Sequence, residues 1–313
     1  MSKYGIILAV ACALQYGIMK WHFTRTRLPA GTTEIFSVLA IPLSLILARL
    51  VFCLTDIGYF INTLAQPDKM FRFYDGGFAM TGVFLGLALS GWCTAKIMKR
   101  PLGSILDTTA LAFGLPLCVM RLAEGTTTLG IGREVLTPLL RSFPLIAVED
   151  EMGVLRHAVY RYEAVIAAVL FIVMIIISRK NWRSGDKALL FITLYGSAQA
   201  MLESMRDDFH LMWGFVRAQQ VYAIGLPLLA LILLTTRLKG SVRAARASVL
   251  AWTATVAGIA LAIIKEFDMD TSRHLFWDYT LMAAALAIPA TAVILLLRRT
   301  NMFNKDKSVV IHA

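Results

Sequence analysis

Residues 157 to 177 read HAVYRYEAVIAAVLFIVMIII. From Ala164 to Ile177 no side chain carries a charge, an amide or a hydroxyl, and the stretch lies between Arg156 and the Arg179-Lys180 pair. Wound as an α-helix at about 1.5 Å per residue, it rises about 31 Å, the thickness of a bilayer's hydrocarbon core. Inside that layer the backbone must satisfy its own hydrogen bonds, which a helix does. Eight other runs share the pattern, giving candidate spans at 5 to 22, 33 to 54, 77 to 97, 104 to 122, 157 to 177, 187 to 205, 218 to 236, 247 to 265 and 276 to 297. The fourth and sixth are the least apolar. The expected fold is an all-α, polytopic transmembrane helix bundle of about nine spans.

Composition agrees with this. Of 313 residues 58% are hydrophobic and 16% charged, against about 45–50% and about 25% in a soluble domain, and the mean hydropathy is +0.68. A water-soluble globule is excluded. The net charge of +11 reads first as cytoplasmic loop charge and not as a nucleic-acid footprint. Cys12, Cys53, Cys93 and Cys118 all lie in apolar stretches without CxxC spacing. No disulfide framework, metal centre or cofactor is expected from them.

Loop charge orients the bundle. One alternating set of loops carries 18 Lys and Arg, among them Lys20, Lys99, Arg100, Arg179, Lys180 and Arg237, with only Asp186 and Asp306 beside them. The other set carries 10, together with most of the acids, including Glu149-Asp150-Glu151 and Asp207-Asp208. The positive-inside rule then places the N-terminus outside and the C-terminus inside. Ala11-Cys12-Ala13 has the small residues of a signal-peptide cleavage site. The apolar region before it is shorter than such peptides use, so an uncleaved first helix is expected. The segment from 123 to 156 is expected outside, and its length suggests a job.

Ionisable groups at membrane depth must pair or face water, which makes each a functional candidate. Arg49, Arg121 and Arg161 fall inside or at the edge of spans. Tyr74 to Gly82, with Gly76, Gly77, Thr81 and Gly82, is glycine-rich enough to let a lipid or another backbone approach closely. Arg121 and Glu124 are three apart and can share a helix face, either as a structural ion pair or with Arg121 holding a phosphate. Gly130 to Arg133 follows, with Gly132 and Arg133. His157, Arg161, Tyr162 and Glu163 open the fifth span; a histidine there is a headgroup-level polar residue or a base. Tyr195, Gln199, Glu203 and Arg206 fall at spacings of four, four and three. They form one polar helix face that lines either a seam between helices or a wet cavity. Asp278 stands alone in the last span.

At these residues the chain resembles the bacterial prolipoprotein diacylglyceryl transferases. Leu47-Ala48-Arg49-Leu50 is similar to the family's "GARLGYVLFY" region, and Asp75 to Gly86 to "GGL..HGGLIG". Arg121 to Arg133 resembles "GRxGNFINGExxGR", with Arg121, Gly132 and Arg133 on matching positions. His157, Tyr162 and Glu163 resemble "HPSQLYE". Tyr195-Gly196, Glu203 and Arg206, then Gly214-Phe215 and Gln220, resemble "YGxxRFxxEFFR" and "GFLTxGQ". The likeness is clearest over residues 35 to 236. It divides the chain into a transmembrane unit over 1–236 and two extra helices with a cytoplasmic tail over 237–313. Three positions depart from the pattern: Thr81 replaces a histidine, Glu124 an asparagine and Gln199 an arginine.

The resemblance implies a multi-pass protein of the bacterial cytoplasmic membrane with an outward-facing site and no cofactor. Its implied substrates are phosphatidylglycerol and prolipoprotein signal peptides; a diacylglyceryl group moves to the lipobox cysteine. It further implies that Arg121, Arg133 and Arg206 bind phosphate and that Glu203 orients an arginine or accepts a proton. His157 or Tyr195 would serve as polar partner of the thiol, and Gly76, Gly77, Thr81, Gly82 and Gly132 would lie along the lipid's path. Two other readings stay open, transfer of another lipid-linked group or to another acceptor, and a non-catalytic phospholipid- or lipoprotein-binding role.

Overall fold

A computed structural model describes residues 3–26, 29–63, 66–208, 212–213, 216–238, 242–269, 272 and 274–311. Arg27, Lys239, Asp270, Arg273 and the Gly214-Phe215 motif pair lie outside these residues. The helices and strands run α1 (Lys3–Thr26), α2 (Thr32–Thr55), α3 (Met80–Ile97), α4 (Leu102–Glu124), β1 (Ile131–Glu134), a single turn α5 (Pro138–Arg141), β2 (Ala147–Glu149), β3 (Leu155–Ala158), α6 (Val159–Ser178), α7 (Asp186–Met205), β4 (Met212–Trp213), β5 (Val216–Arg217), α8 (Ala218–Arg237), α9 (Val242–Met269) and α10 (Leu275–Ile311).

The chain is a polytopic helical membrane protein. Among the described residues eight helices are long and apolar enough to cross a bilayer. The sixth expected span is present as α7 but is not apolar enough to count with them. Its packing explains this, because α7 meets α4, α6, α8 and α10 and therefore faces protein where its neighbours face lipid. Polar side chains on such a helix find partners without meeting hydrocarbon. The perimeter helices show the opposite pattern, with Val38 and Ile41 on α2 and Val249 and Leu250 on α9 exposed.

Close packing sets the remaining geometry. α2 and α3 approach until a Cβ on Gly82 would lie 2.2 Å from the Leu47 carbonyl oxygen and one on Gly86 2.3 Å from the Ser44 Cα. α1 lies on α4, burying Met19 and Phe23, with His22 Nδ1 3.1 Å from Thr108 Oγ1. α9 and α10 form a hairpin whose second helix lies on α7 and α8. Leu189, Leu231, Val293 and Leu297 pack together at one end of that contact, and Ala200, Ala223, Met282 and Ala285 at the other.

Two helix ends differ from the hydropathy pattern. The third helix starts at Met80 and not at 77, since Gly76 and Gly77 have φ of 77° and 72°, which no helix contains. The helix expected from 157 starts at Val159, because Leu155–Ala158 pair as β3 with β1 and β2. That antiparallel sheet, ordered β1-β3-β2, is built from the long 123–156 connection, with Val148 opposite Arg156.

At the opposite end of α4 from this sheet, Asp107 accepts hydrogen bonds from the Gly185 and Ala188 N–H groups, each at 2.9 Å. A carboxylate from one helix thus caps the N-terminus of α7, where the helix dipole favours negative charge. Asp186, fully buried, is held beside it by Arg237 Nη1 and Asn301 Nδ2, both at 2.8 Å.

Candidate functional site

Three helices bring the charged groups together. α4 ends on Arg121 and Glu124, α6 carries Glu163 in its second turn, and α7 presents Tyr195, Gln199 and Glu203 before stopping at Arg206. Arg206 is extended (φ −75°, ψ 143°), and its backbone pairs with Gly132 of β1 while Asp207 N–H donates to the Ile131 carbonyl at 2.8 Å. The sheet therefore fastens the end of α7 and aims the arginine inward. Gly132 is required at this crossing, since a Cβ there would lie 2.6 Å from the Met205 carbonyl oxygen.

Within the cluster Arg121 Nη1 donates to Glu124 Oε1 at 2.6 Å and lies 3.5 Å from Glu163 Oε2, while its Nη2 donates to the Tyr195 hydroxyl at 3.3 Å. Arg206 Nη1 reaches both Glu163 oxygens at 3.3 Å and lies 3.4 Å from Glu124 Oε2. Its Nε and Nη2 form a fork on Asp208 at 3.1 and 2.7 Å. Gln199 Nε2 donates to Glu163 Oε1 at 2.6 Å and to Glu203 Oε2 at 3.4 Å. Asp208 also accepts from Gly130 N–H at 2.8 Å. Burial pushes its carboxyl up, but the Arg206 hydrogen bonds and charge together with Gly130 outweigh this and hold it below the usual carboxylate range.

Four carboxylates thus face two guanidiniums in a nearly dry space, an arrangement that persists because opposite charges offset one another; Glu124 Oε2, which has no hydrogen bond, lies 3.4 Å from Arg206 Nη1. Two guanidinium N–H groups remain available. Among the described residues Arg121 Nε and Arg217 Nη1 are buried without a hydrogen-bond partner. No three His, Cys, Asp or Glu side chains among the described residues could hold a metal ion.

The structure therefore brings Arg121, Glu124, Glu163, Tyr195, Gln199, Glu203 and Arg206 into one network. Other candidates are placed elsewhere. Arg49 is buried and binds the carbonyls of Lys69 (2.6 Å), Met70 (3.1 Å), Gly76 and Gly77 (3.3 Å), so it pins the α2–α3 connection. Gly77 and Gly82 are taken up in packing against α2. Thr81 lies on the first turn of α3, one turn before Phe84, whose ring is 5.0 Å from that of Tyr195. His157 Nδ1 lies 2.9 Å from the Tyr162 hydroxyl, which donates to the Ile146 carbonyl at 3.1 Å. That pair belongs to the sheet and not to the arginine network, and burial holds the imidazole below its ordinary value of 6.5. Arg161 donates to the Pro144 and Ala147 carbonyls. Arg133 faces the α9–α10 side, within electrostatic reach of Tyr279. Asp278 has a partner after all, Lys265 Nζ on α9 at 3.3 Å.

Several members were not singled out by the sequence. Asp208 reads there only as a loop acid, Arg217 only as a loop cation, and Tyr4 of α1, within electrostatic reach of Arg121 and Glu124, gives no signal at all. For Asp208 the doublet Asp207-Asp208 directly after Arg206 is the cue, since Arg206 must find an anion where α7 ends.

Comparison with known proteins agrees with the motif order. The family model described as prolipoprotein diacylglyceryl transferase matches residues 1–236. The chain is 26% identical over 238 residues to the phosphatidylglycerol–prolipoprotein diacylglyceryl transferase of Clostridium novyi (strain NT), covering 74% of this chain and 89% of that one. It is 28% identical over 236 residues to the protein so named from Symbiobacterium thermophilum, covering 74% and 86%. With that of Listeria innocua it shares 25% over 238 residues, covering 75% and 84%. A match that takes in α1 to α8, every helix that builds the arginine network, makes this chain a member of the prolipoprotein diacylglyceryl transferase family.

Proposed function

We propose that this chain transfers a diacylglyceryl group from phosphatidylglycerol to the cysteine thiol of a prolipoprotein signal peptide, in a bacterial cytoplasmic membrane. The observation that carries this reading is the convergence of Arg121, Glu163, Tyr195, Glu203 and Arg206, far apart in the chain and all on family motif positions, in one buried network. The excess of Lys and Arg in the opposite loops supports an outward position for that network, on the side where exported precursors arrive. Residues 1–236 form the catalytic unit in this reading, and 237–313 an addition to it.

The reaction forms a carbon–sulfur bond to the glyceryl carbon and breaks that carbon's bond to the phosphate oxygen, releasing glycerol phosphate. The thiol proton must be removed, and negative charge grows on the departing phosphate. Glu203 is the base best placed for the proton, because its 3.4 Å contact with Gln199 is the loosest closest contact of the four carboxylates. Arg121 offers its unpartnered Nε to the phosphate side. Glu163 holds Arg121 and Arg206 in fixed orientation, so their charge is preorganised. His157, neutral at pH 7, and the Tyr195 hydroxyl are the other polar partners for the thiol. In this reading Gly76 and Thr81 line the lipid's approach, while Gly77 and Gly82 serve the packing against α2 and Gly132 that against Met205; Arg133 and Arg206 add positive charge along the approach.

Purified protein given labelled phosphatidylglycerol and a lipobox peptide forms the thioether and releases glycerol phosphate, and Glu203→Gln lowers the rate by about 10²–10⁴. Absence of thioether with the lipid still bound sinks the reading. One observation favours a second: Glu124, where the family has asparagine, occupies Arg121 Nη1 at 2.6 Å, which suits a donor less anionic than phosphatidylglycerol or a lipid-binding role without transfer. Faster transfer from phosphatidylglycerol by Glu124→Asn would support that second reading.

A further inference from the structure

Helix α10 lies antiparallel to α7 and holds it at both ends. At one end Asn301 Nδ2 donates to Asp186 Oδ2 at 2.8 Å, and Asn301 Oδ1 accepts from the Arg183 N–H at 2.9 Å. At the other the Tyr279 hydroxyl donates to the Ser204 carbonyl at 3.5 Å. Between these points the two helices share apolar clusters, Leu189 and Leu190 with Val293 and Leu297, and Ala200 with Met282 and Ala285. Asn301 and Tyr279 both lie beyond residue 236, where the family match stops.

The Tyr279 contact falls on the last turn of α7. The last four carbonyls of a helix have no partner within it, and that of Ser204 is among them, since α7 stops at Met205. Tyr279 supplies a donor from outside the helix. The buried Ser204 side chain also meets the hairpin, with its Oγ 3.9 Å from Met269 Sδ at the end of α9. Ser204 follows directly on Glu203 and stands two residues before Arg206, so whatever fixes this turn fixes both.

One turn earlier the hairpin acts through α8. Gln220, buried on the first turn of α8, donates from Nε2 to the Ala200 carbonyl at 3.3 Å and to Glu266 Oε2 of α9 at 3.0 Å. An amide presents two N–H groups on one side and a carbonyl on the other, and the carboxylate on α9 sets it with its donors toward α7. Gln220 falls on a family motif position, whereas the acid that orients it lies in the added hairpin.

We propose that the α9–α10 hairpin is a positioning element of the site: Tyr279 caps the last turn of α7 and Glu266 orients Gln220 against the turn before it, and together they set where the Glu203 carboxylate and the Arg206 guanidinium stand. The sheet already fastens this end of α7 through the Gly132–Arg206 pairing, and the hairpin adds a second hold. Both residues reach α7 by its backbone carbonyls, directly or through Gln220, so they act through the helix and not on a substrate. The part that Glu203 and Arg206 play in a reaction rests on the transferase reading, whereas the hold on α7 is a separate property that is measured without it.

The test compares wild-type full-length protein in mild detergent with Tyr279→Phe, Glu266→Ala, Glu266→Gln and Leu297→Ala. Two things are read: kcat and KM for thioether formation from phosphatidylglycerol and a lipobox peptide, and hydrogen–deuterium exchange of the backbone amides over 203–208. Tyr279→Phe and Glu266→Ala each lower kcat about 3- to 10-fold, the worth of one hydrogen bond, leave KM within about twofold, and speed exchange over 203–208. Glu266→Gln, whose amide oxygen still accepts from Gln220, keeps wild-type values. Leu297→Ala removes buried packing near the Asn301 end of α10; it lowers the melting temperature and changes neither kcat nor exchange over 203–208. Transfer slowed as much by Leu297→Ala as by Tyr279→Phe reduces the hairpin to general stabilisation and overturns the proposal. So do kcat and exchange within about twofold of wild type in both Tyr279→Phe and Glu266→Ala. If wild type forms no thioether, the transferase reading falls and exchange alone decides. Faster exchange over 203–208 in Tyr279→Phe and Glu266→Ala but not in Leu297→Ala then leaves the hold on α7 standing, and unchanged exchange overturns it.

Discussion

Glu163→Ala is the perturbation that most directly tests how the arginine network is held. The Glu163 side chain is 1% exposed and receives Gln199 at 2.6 Å, Arg206 at 3.3 Å and Arg121 at 3.5 Å. Three charge-related contacts at about 1.5–3 kcal/mol each sum to more than the change should cost, because such contacts are not additive and Glu124 and Asp208 still compensate the two guanidiniums. Breaking a buried ion pair by removing one partner costs about 3–5 kcal/mol, the figure that applies here. At about 2–4 °C per kcal/mol for a chain of this size, the apparent melting temperature falls by about 6–20 °C. Intrinsic fluorescence in mild detergent at one fixed scan rate measures it, since a membrane protein's transition depends on scan rate. Glu163→Gln and Arg206→Gln, alone and together, complete the comparison, with the double variant losing less than the sum by about 1–3 kcal/mol. A shift under about 2 °C for Glu163→Ala, or additivity within about 0.5 kcal/mol in the cycle, would refute the claim that Glu163 organises both arginines.

Two glycines of different surroundings should respond in opposite directions. Gly82→Ala drives a Cβ to 2.2 Å from the Leu47 carbonyl oxygen and lowers stability by about 1–3 kcal/mol, whereas Gly225→Ala, with nothing within 4 Å, is neutral or gains up to about 1 kcal/mol; equal melting temperatures for the two variants would contradict this. His157 sets a pH dependence. Its folded imidazole binds a proton less readily than the unfolded chain's, so stability is flat above the ordinary value of 6.5 and is lost as pH falls below it toward the folded value. Melting curves between about pH 5 and 7.5 should show that loss in wild type and less of it in His157→Gln; an identical slope in both would assign the effect to other groups.

Hydropathy and charge were enough for the helices, because a membrane span is a property of consecutive residues and its length is set by the bilayer. Eight of the expected spans are helices apolar enough to cross, and the sixth, the least obvious with its polar face, is the helix enclosed by protein. The spacing of Tyr195, Gln199, Glu203 and Arg206 was likewise sufficient to show that they share a face, and the motif order was sufficient to show the family. Both are readable locally, one from helical periodicity and the other from residue order.

The choice of partner for each charge was not readable. By sequence Glu124 can pair with either Arg121 or Arg133, and only the rotation of α4 against α7 turns the Arg121–Glu124 face toward Arg206. His157 stands in a site motif yet pairs with Tyr162, because β3 turns its side chain toward the sheet. Asp107 caps a helix that begins 79 residues later, and the Tyr279 hydroxyl of the added hairpin reaches the Ser204 carbonyl of α7. Such pairings depend on the depth and rotation of helices distant in the chain, which side-chain packing settles and no local pattern encodes.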